Sequence, residues 1–304
     1  MRKPTLTVFT STYNRGALLH RGYEALCRQT CKDFCWIIVD DGSNDDTRER
    51  ILSWQKEKPG FEIRYIYKEN GGMYTGYNTA IAALDTELAV CVDSDDYLTD
   101  TAVEEIISTW RAEGSDQYAG IIALDAKEDG TILGDLFPSQ KSINLLDLAV
   151  GKYKIDNQDR KIVVRSKLYQ SVAPMTEYPG EPDFNPHLLH LKISLDYDFL
   201  IYNHPICIVE YQPDGMTQNV IKHYFRSPNA YRETRLFDMS IPNAPFGFLC
   251  KKTIHYISSC ILAHKPCISD SPKKLLTALL YPLGWMLSIY IRYKNQDEKR
   301  TGAS

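Results

Sequence analysis

The sequence has no excess of positive charge. Its 304 residues carry 35 Lys and Arg against 39 Asp and Glu, which gives a formal net charge of −4 at pH 7. No run of basic residues with interleaved aromatic residues occurs in it. Because domains that bind nucleic acid usually carry a basic patch or stripe, we expect no nucleic acid among the partners of this chain.

Cysteine and histidine patterns typical of metal sites are also missing. None of the eight cysteines forms a Cys-x-x-Cys pair, and the seven histidines include no pair spaced as on a metalloprotease helix. Cys91 and Cys207 lie inside apolar runs, where a free thiol packs as a small core residue. The N-terminal residues enter a strand-like run without the apolar core and cleavage site of a signal peptide. We therefore expect a cytoplasmic protein.

Short apolar runs alternate with helical patterns through the first 125 residues. Ser43 and Asp46 have capping-box spacing for the second helix. The alternation predicts an α/β fold with a largely parallel sheet and helices on both faces. Strands are predicted over 6–10, 34–39, 63–67, 88–92 and 119–124, and helices over 17–29, from the cap to 56, from 73 to 83, and over 101–110.

The order of predicted elements becomes mixed beyond residue 125. QPDGMTQN, at 212–219, is predicted to be a loop from its turn-forming residues. The other predicted elements are strands over 131–137, 161–165, 199–202 and 206–211, and helices over 143–150 and 188–194.

An uncharged run of 17 residues, Leu275 to Ile291, lies near the C-terminus. Spanning a bilayer takes about 20 apolar residues, and Pro282 and Gly284 interrupt the run, so we expect a broken helix. Its aromatic residues are of the types favoured at membrane interfaces. Three roles remain open: lying in a membrane surface, packing on the protein or a partner copy, and spanning the membrane. Basic residues flank the run on both sides: Lys273, Lys274, Arg292 and Lys294.

The acidic segment VCVDSDDYL follows the fourth predicted strand. Open α/β sheets bind ligands at the carboxyl ends of their strands. In extended backbone the side chains of Asp93 and Asp95 point the same way, and two such carboxylates suit Mg²⁺ or Mn²⁺ that also binds substrate phosphates. Ser94, between them, is a candidate donor-binding residue together with Asp93. The alternative is an acidic loop that only caps the next helix.

Two further polar segments follow predicted strands. The first strand ends in Ser11, Thr12, Tyr13 and Asn14, and the second in Asp40 and Asp41. Tyr13 is suited to stacking on a base, and Asp40 to accepting a hydrogen bond from a base edge or ribose. Because parallel strands present their ends to one crevice, these groups are expected to meet around one ligand.

TSTYNR, VDDGSNDDT, ENGG and VDSDDYL, in this order and spacing, resemble the family 2 glycosyltransferases with the GT-A type fold. The resemblance is strong over residues 4–115 and looser, through GEPDF and VEYQPDGMTQN, to about 220. It implies a nucleoside-diphosphate sugar donor, most often UDP-linked, a divalent cation (Mn²⁺ or Mg²⁺) and inversion at the sugar carbon.

Site residues are implied by the same resemblance. Ser11, Tyr13 and Asp40 match positions that hold the nucleoside, and Asn78 matches an Asn near the donor. Asp93 and Asp95 match the Asp-x-Asp pair, with Asp95 as direct metal ligand. Glu181 is the favoured catalytic base, with Asp183 second, because they precede a helix in GEPDF. Close relatives often have a Lys where this chain has Met73, so Arg15, Lys222, Arg226 or the metal alone must neutralise the diphosphate.

These observations predict a GT-A catalytic domain over 1–228, with a donor-nucleotide half (1–115) and a mixed acceptor half (116–228), and a helical C-terminal region over 229–304. The expected activity is metal-dependent, inverting transfer of a sugar to a glycan or lipid-linked acceptor. The protein is expected to be peripheral at the inner face of the cell membrane, and an oligomer is compatible with the sequence. The alternative is a non-catalytic nucleotide-sugar-binding or scaffold subunit. A nucleotidyltransferase would need a glycine-rich, arginine-bearing loop after the first strand, which TSTYNRG does not supply.

Overall fold

The computed structural model describes residues 3–210 and 220–301, with side chains to residue 296. The predicted loop over 212–219 lies outside the described residues. Two compact units are present: the first contains the chain to Met175 and again from Pro186 to Glu210, and the second contains Thr176–Asn185 and the residues from 220 onward. The predicted domain boundary at residue 228 stays a prediction.

The first unit is built on one sheet, which has nine strands among the described residues. Its main order is β3-β2-β1-β4-β8-β6-β9-β5, and β7 pairs with β9. The first four strands in this order are parallel, whereas β8 is antiparallel to both its neighbours. The strands are β1 (Leu6–Thr12), β2 (Phe34–Asp40), β3 (Glu62–Tyr67), β4 (Leu88–Cys91), β5 (Tyr97–Leu98), β6 (Tyr118–Ala126), β7 (Ser142–Ile143), β8 (Arg160–Arg165) and β9 (Asp198–Ile208).

Seven helices accompany this sheet within the described part of the first unit. The sequence predicts an apolar stripe on α1 formed by Leu18, Leu19, Tyr23, Leu26 and Cys27. It is confirmed for Leu19, Tyr23 and Leu26, which are buried in the core beside Trp36 of β2, whereas Leu18 is half-buried and Cys27 is exposed. Each buried leucine of this kind stabilises the fold by about 2 kcal/mol. The helices are α1 (Gly16–Arg28), α2 (Thr47–Glu57), α3 (Met73–Ala82), α4 (Ala102–Glu113), α5 (Leu145–Ala149), α6 (Ser166–Val172) and α7 (His187–Ile193).

The second unit is helical. It contains α8 (Val220–Arg226), α9 (Pro228–Ser240), α10 (Phe246–Leu262) and α11 (Lys274–Thr301). Its small core is formed by Met239 of α9 and by Tyr256, Ile257 and Cys260 of α10. Tyr256 donates its hydroxyl hydrogen to the carbonyl of Cys267 at 3.0 Å, which fixes the connection between α10 and α11.

The predicted strand over 131–137 is wrong. A single bridge, Ala126 to Ile132, forms there. The guanidinium of Arg160 donates to the carbonyls of Leu133 and Asp135, so these acceptors are not available to a sheet ladder. Gly134 also has φ +67°, outside the strand region.

The two strands predicted over 199–202 and 206–211 are one strand, β9. Its pairing with β6 shifts register between Tyr202 and Pro205. This irregularity accommodates the proline, which has no backbone N–H to donate. The side chain of Asn203 exchanges two hydrogen bonds with the backbone of Phe137 at the same place.

The capping box predicted at Ser43 and Asp46 is also wrong. The Ser43 hydroxyl accepts a hydrogen bond from the backbone N–H of Asn14 at 2.9 Å, and α2 begins at Thr47. Asp45 provides the acceptor instead, since its Oδ1 accepts from the N–H of Thr47 at 3.1 Å.

The predicted break at Pro282 does not occur, and α11 is continuous through it. Proline removes one backbone donor, whose acceptor in a regular helix would be the carbonyl of Ala278. Pro282 and Ala278 are both exposed, so the lost hydrogen bond leaves no buried carbonyl unsatisfied.

Candidate active site

Three polar segments meet at the carboxyl ends of neighbouring parallel strands. In β2 and β1, Asp40 lies opposite Thr12, and in β1 and β4, Phe9 lies opposite Cys91. The hydroxyl of Thr10 donates to the carbonyl of Val92 at 2.8 Å, which ties β1 to the start of the acidic segment. The predicted alignment of the three strand ends is therefore confirmed.

An ion pair joins the segment after β1 to the acidic segment after β4. Nη1 of Arg15, just before α1, lies 2.8 Å from Oδ2 of Asp95 in the acidic segment. Asn14 holds the loop in place, because its Oδ1 accepts from the backbone N–H of Asn44 at 2.7 Å and its φ is +52°. Asparagine adopts this left-handed conformation more readily than most residues.

The acidic segment is a turn rather than the extended backbone that we expected. The N–H of Asp96 donates to the carbonyl of Asp93 at 3.1 Å. The turn exposes Asp93, leaves Asp95 half-buried beside Arg15, and buries Ser94 and Asp96. The expectation that the Asp93 and Asp95 side chains point the same way assumed extended backbone. Because the segment is a turn, that expectation no longer follows.

Two carboxylates of this turn, those of Asp93 and Asp96, have raised pKa values. Desolvation in the crowded turn raises the pKa of Asp93, and the charge of Asp95 adds to it, while Lys161 opposes both. Burial raises the pKa of Asp96 to about 8, again against the effect of Lys161. A positive charge placed near these groups would relieve their mutual repulsion.

Lys161 of β8 supplies a buried positive charge behind the turn. Its Nζ lies 3.5 Å from Oδ2 of Asp96. Burial alone would lower the pKa of Lys161, but the surrounding carboxylates, led by Asp125, raise it well above its ordinary value. Burial raises the pKa of Asp125 itself to about 6. Neither residue was predicted, and the signal available was a charged residue near the end of an apolar strand in each case, Asp125 in β6 and Lys161 in β8.

Asp40 and Asp41 are both buried, with different partners. Asp40 accepts from the hydroxyl of Tyr65 at 2.7 Å and from the N–H of Ser43 at 2.8 Å. Asp41 pairs with Lys68 at 2.5 Å and accepts from the N–H groups of Gly71 and Gly72 at 3.0 and 2.9 Å. Asp41 therefore holds the ENGG turn, whereas Asp40 faces the strand ends.

The remaining candidates differ in how open they are. The Tyr13 side chain is 45% exposed, which leaves its ring accessible for stacking. The Ser11 hydroxyl donates to the carbonyl of Met73 at 3.2 Å, and a Cβ at Gly76 would lie 2.1 Å from it, so only glycine fits there. Asn78 is buried and exchanges two hydrogen bonds with the backbone of Met175.

The two candidate bases lie in the second unit. Glu181 accepts three hydrogen bonds at the start of α9, from the N–H and side-chain amide of Asn229 at 3.0 and 2.7 Å and from the N–H of Ala230 at 2.9 Å. Oδ2 of Asp183 accepts from the hydroxyl of Ser227 at 3.2 Å and lies 3.0 Å from Nδ1 of His223. Glu181 thus caps a helix, a role that the sequence did not indicate.

Residues 7–165 match the family described as Glycosyl transferase family 2. The chain belongs to this family. The matched region contains all of the donor-side candidates, from Ser11 to Asp95.

The family 2 chain resembles proteins from several organisms. It is 29% identical over 120 residues to the GalNAc(5)-diNAcBac-PP-undecaprenol beta-1,3-glucosyltransferase of Campylobacter jejuni, which is 39% of this chain and 37% of that enzyme. It aligns with the crystal structure of Staphylococcus aureus TarS 1-349 in complex with UDP-GlcNAc with a TM-score of 0.60, at 15% identity, over 98% of this chain and 92% of that one. For the mannosyltransferase PcManGT of Pyrobaculum calidifontis in complex with GDP-Man and Mn²⁺ the TM-score is 0.56, at 16% identity, over 97% and 84%.

The solved structures show that the chain has the GT-A fold predicted from its motifs. Its matches span about a third of the length of the curated relatives.

The acidic turn of this glycosyltransferase suits a cation that shares its ligands with a substrate. Within residues 3–210 and 220–296, no three His, Cys, Asp or Glu side chains converge as they do around a metal held by protein alone. Asp93 and Asp95 offer hard oxygen donors, and Asp95 already has the guanidinium of Arg15 as its cationic partner. Mg²⁺ and Mn²⁺ commonly use one or two carboxylates plus substrate phosphates, so the donor set fits.

Proposed function

We propose that this chain transfers a sugar from a nucleoside-diphosphate donor, UDP-linked by preference, to a hydroxyl of a glycan or lipid-linked glycan, with inversion. The observation that carries the proposal is the convergence of Tyr13, Asp40 and Asp95 at one edge of three parallel strands. The UDP-GlcNAc complex of TarS and the undecaprenol-linked acceptor named for the Campylobacter jejuni relative support the two substrate classes.

The nucleoside is bound, in this proposal, by the ends of β1 and β2. The exposed ring of Tyr13 stacks on the base. Asp40 keeps acceptor capacity beyond its bonds to Tyr65 and Ser43, because a carboxylate has about four lone-pair sites. It accepts from the base edge or the ribose.

The diphosphate is bound near the acidic turn. Asp93 and Asp95 would hold the divalent cation, which stabilises the charge that develops on the leaving nucleoside diphosphate. Arg15, which pairs with Asp95 of the turn at 2.8 Å, takes the place of the lysine that close relatives carry at Met73. Lys222 and Arg226 are exposed on α8 of the second unit and stay predictions for the same role.

Inversion requires one carboxylate to deprotonate the acceptor hydroxyl. Glu181 and Asp183 were the two candidates. The three N–H donors at the start of α9 engage both oxygens of Glu181. Among the described residues, the Asp183 contacts engage only Oδ2. We therefore assign the base to Asp183 and a positioning role to Glu181.

The chain is proposed to act at the cytoplasmic face of the cell membrane as a peripheral protein, because lipid-linked glycans are membrane-bound acceptors.

The test is transfer from radiolabelled UDP-sugars to a lipid-linked glycan fraction, with Mn²⁺ and with a chelator. Asp95→Asn should reduce the rate at least about 100-fold, and the chelator should do the same. Asp100→Asn is the matched control, since Asp100 pairs with Arg28 on the surface at 3.0 Å. Metal-independent transfer at full rate by Asp95→Asn would remove the role given to Asp95.

The alternative is a non-catalytic nucleotide-sugar-binding subunit, which the absence of a lysine at Met73 favours. Saturable UDP binding without transfer or hydrolysis across UDP-, GDP- and dTDP-sugars would establish it in place of the transferase.

A further inference from the structure

The distribution of side chains around α11 is inverted relative to a helix of a soluble protein. Most of the buried residues that face its own unit are small or polar, namely Thr277, Gly284, Ser288 and Asn295, and Ile291 is buried with them. On the opposite side, Leu275, Leu279 and Met286 are 76%, 69% and 60% exposed. A surface helix of a globular protein normally buries its apolar stripe and exposes its polar one.

The small residues allow α11 to pack closely on α10. A Cβ at Gly284 would lie 2.4 Å from the Cβ of Ile257, so the two helices approach too closely there for any larger residue. Small residues at a helix interface with large apolar residues outside are typical of helices in contact with lipid.

The exposed apolar residues form one continuous stripe. At 3.6 residues per turn, Leu275, Leu279, Leu283, Met286, Tyr290 and Tyr293 lie along one side of the helix. We call this stripe the outer face of α11. Trp285 is exposed on its flank, and Tyr281 is exposed closer to the buried side of the helix. Trp and Tyr are enriched where membranes meet water.

The charge around the outer face is opposite in sign to that of the chain. Residues 271–296 contain no Asp or Glu, although the chain as a whole has a net charge of −4. The basic residues of this segment lie at its two ends and are exposed: Lys273, Lys274, Arg292 and Lys294. Such a pattern is complementary to anionic lipid headgroups.

A transmembrane orientation conflicts with the packing of the second unit. By length and composition alone, Lys274–Gln296 is long and apolar enough to cross a membrane. However, α10 packs along α11, and its Lys252 pairs with Asp238 of α9 at 2.6 Å. A crossing α11 would carry these charged helices into hydrocarbon, which is costly.

A second copy of this chain is also a poor occupant of the outer face. In a two-fold dimer the same patch is present on both subunits. The sequence of α11 has five basic residues against two acidic ones, Asp297 and Glu298, so two copies packed on each other would bring together an excess of positive charge.

We propose that the outer face of α11 binds the interfacial region of an anionic lipid bilayer, with the helix axis in the membrane plane. The inference does not depend on the proposed transferase activity, because it rests on residues of the second unit alone.

Sedimentation of the full chain with lipid vesicles tests it. We expect binding to vesicles that contain phosphatidylglycerol and much weaker binding to pure phosphatidylcholine. Leu279→Glu with Met286→Glu should lower the partition coefficient at least about tenfold, because both residues lose apolar burial. Neutralising Lys274 and Arg292 should lower it about fivefold per charge at low salt.

The matched control is Leu136→Glu with Leu195→Glu, which changes two leucines that are 54% and 52% exposed in the first unit. Circular dichroism melting of each variant establishes that it is folded. Equal binding by the α11 variant and the wild type would overturn the proposal. So would a dimer, seen by sedimentation in the absence of lipid, that the α11 variant dissociates. Resistance of the bound protein to extraction at alkaline pH would overturn the in-plane orientation, since a spanning helix resists it.

Discussion

The guanidinium of Arg15 donates to the carboxylate of Asp95 at 2.8 Å, across 80 residues of sequence. This bond connects the loop after β1 to the turn after β4. Asp95 is the residue to which the family resemblance assigns the direct metal contact. That carboxylate therefore has a cationic partner from the chain itself.

Arg15→Ala should tighten the binding of Mn²⁺ to the donor-free protein a few-fold, because the metal then no longer displaces a guanidinium from Asp95. A half-buried pair of this kind contributes about 1 kcal/mol. Titration calorimetry with Mn²⁺ alone measures the effect. Arg28→Ala, which removes the surface pair with Asp100, should leave Mn²⁺ binding unchanged. Weaker Mn²⁺ binding by Arg15→Ala would show that Arg15 does not compete for Asp95.

Substitutions of Glu181 and Asp183 should have different effects, the first on the free energy of unfolding and the second on kcat. Glu181→Ala should lower the free energy of unfolding by about 1–2 kcal/mol, because it removes the acceptor for the first N–H groups of α9. Its kcat per folded molecule should change little. Asp183→Asn should lower kcat about 10²- to 10⁴-fold, with a nearly unchanged melting temperature. The reverse outcome, loss of kcat with Glu181→Ala only, would return the base to Glu181.

Lys161→Met should destabilise the first unit by about 3–5 kcal/mol, because Asp96 and Asp125 would then be buried without a compensating charge. Urea unfolding measures the change. Lys141→Met is the control, since Lys141 pairs with Glu113 on the surface at 3.7 Å, and it should cost less than about 1 kcal/mol. Combining Lys161→Met with Asp125→Asn should recover part of the loss. A loss no greater than that of the control would mean that Lys161 does not compensate these carboxylates.

Asp125 should make the stability of the protein depend on pH in a defined window. Its pKa is about 6 in the folded protein against 3.8 ordinarily, because it is buried. Between these two values the folded state holds a proton that the unfolded state has released. The folded state therefore loses stability as pH rises from about 4 to 6, by at most about 3 kcal/mol. Asp125→Asn removes this contribution. If the free energies of unfolding of the wild type and of Asp125→Asn changed equally with pH between about 4 and 6, the role given to Asp125 would be wrong.

Several parts of the structure follow from local sequence patterns. The apolar runs of β1, β2 and β4 predict buried strands, and Leu19, Tyr23 and Leu26 predict the buried side of α1. The order of strands and helices then requires a parallel sheet. Once the strands are parallel, their polar ends must lie on one edge, so the sequence alone places Tyr13, Asp40 and the acidic segment together.

Local patterns failed where a distant residue supplies the bonding partner. Arg160 takes the carbonyls of Leu133 and Asp135, which turns a predicted strand into a loop. The start of α9 donates three hydrogen bonds to Glu181, contacts that the segment GEPDF does not indicate by itself. In both cases the hydrogen-bond partner lies more than ten residues away in the sequence, so a local pattern does not contain it.

The sequence by itself determined the α/β alternation, the family and the positions of the candidate donor-binding groups, because these depend on short-range periodicity and on motifs. Only the tertiary structure decided that Arg15 reaches Asp95, that Lys161 lies among buried carboxylates, and that α11 buries mostly small or polar residues while it exposes most of its large apolar ones. Pairings between residues tens of positions apart, and the direction in which a helix faces, are set by packing, which apolar content alone does not specify.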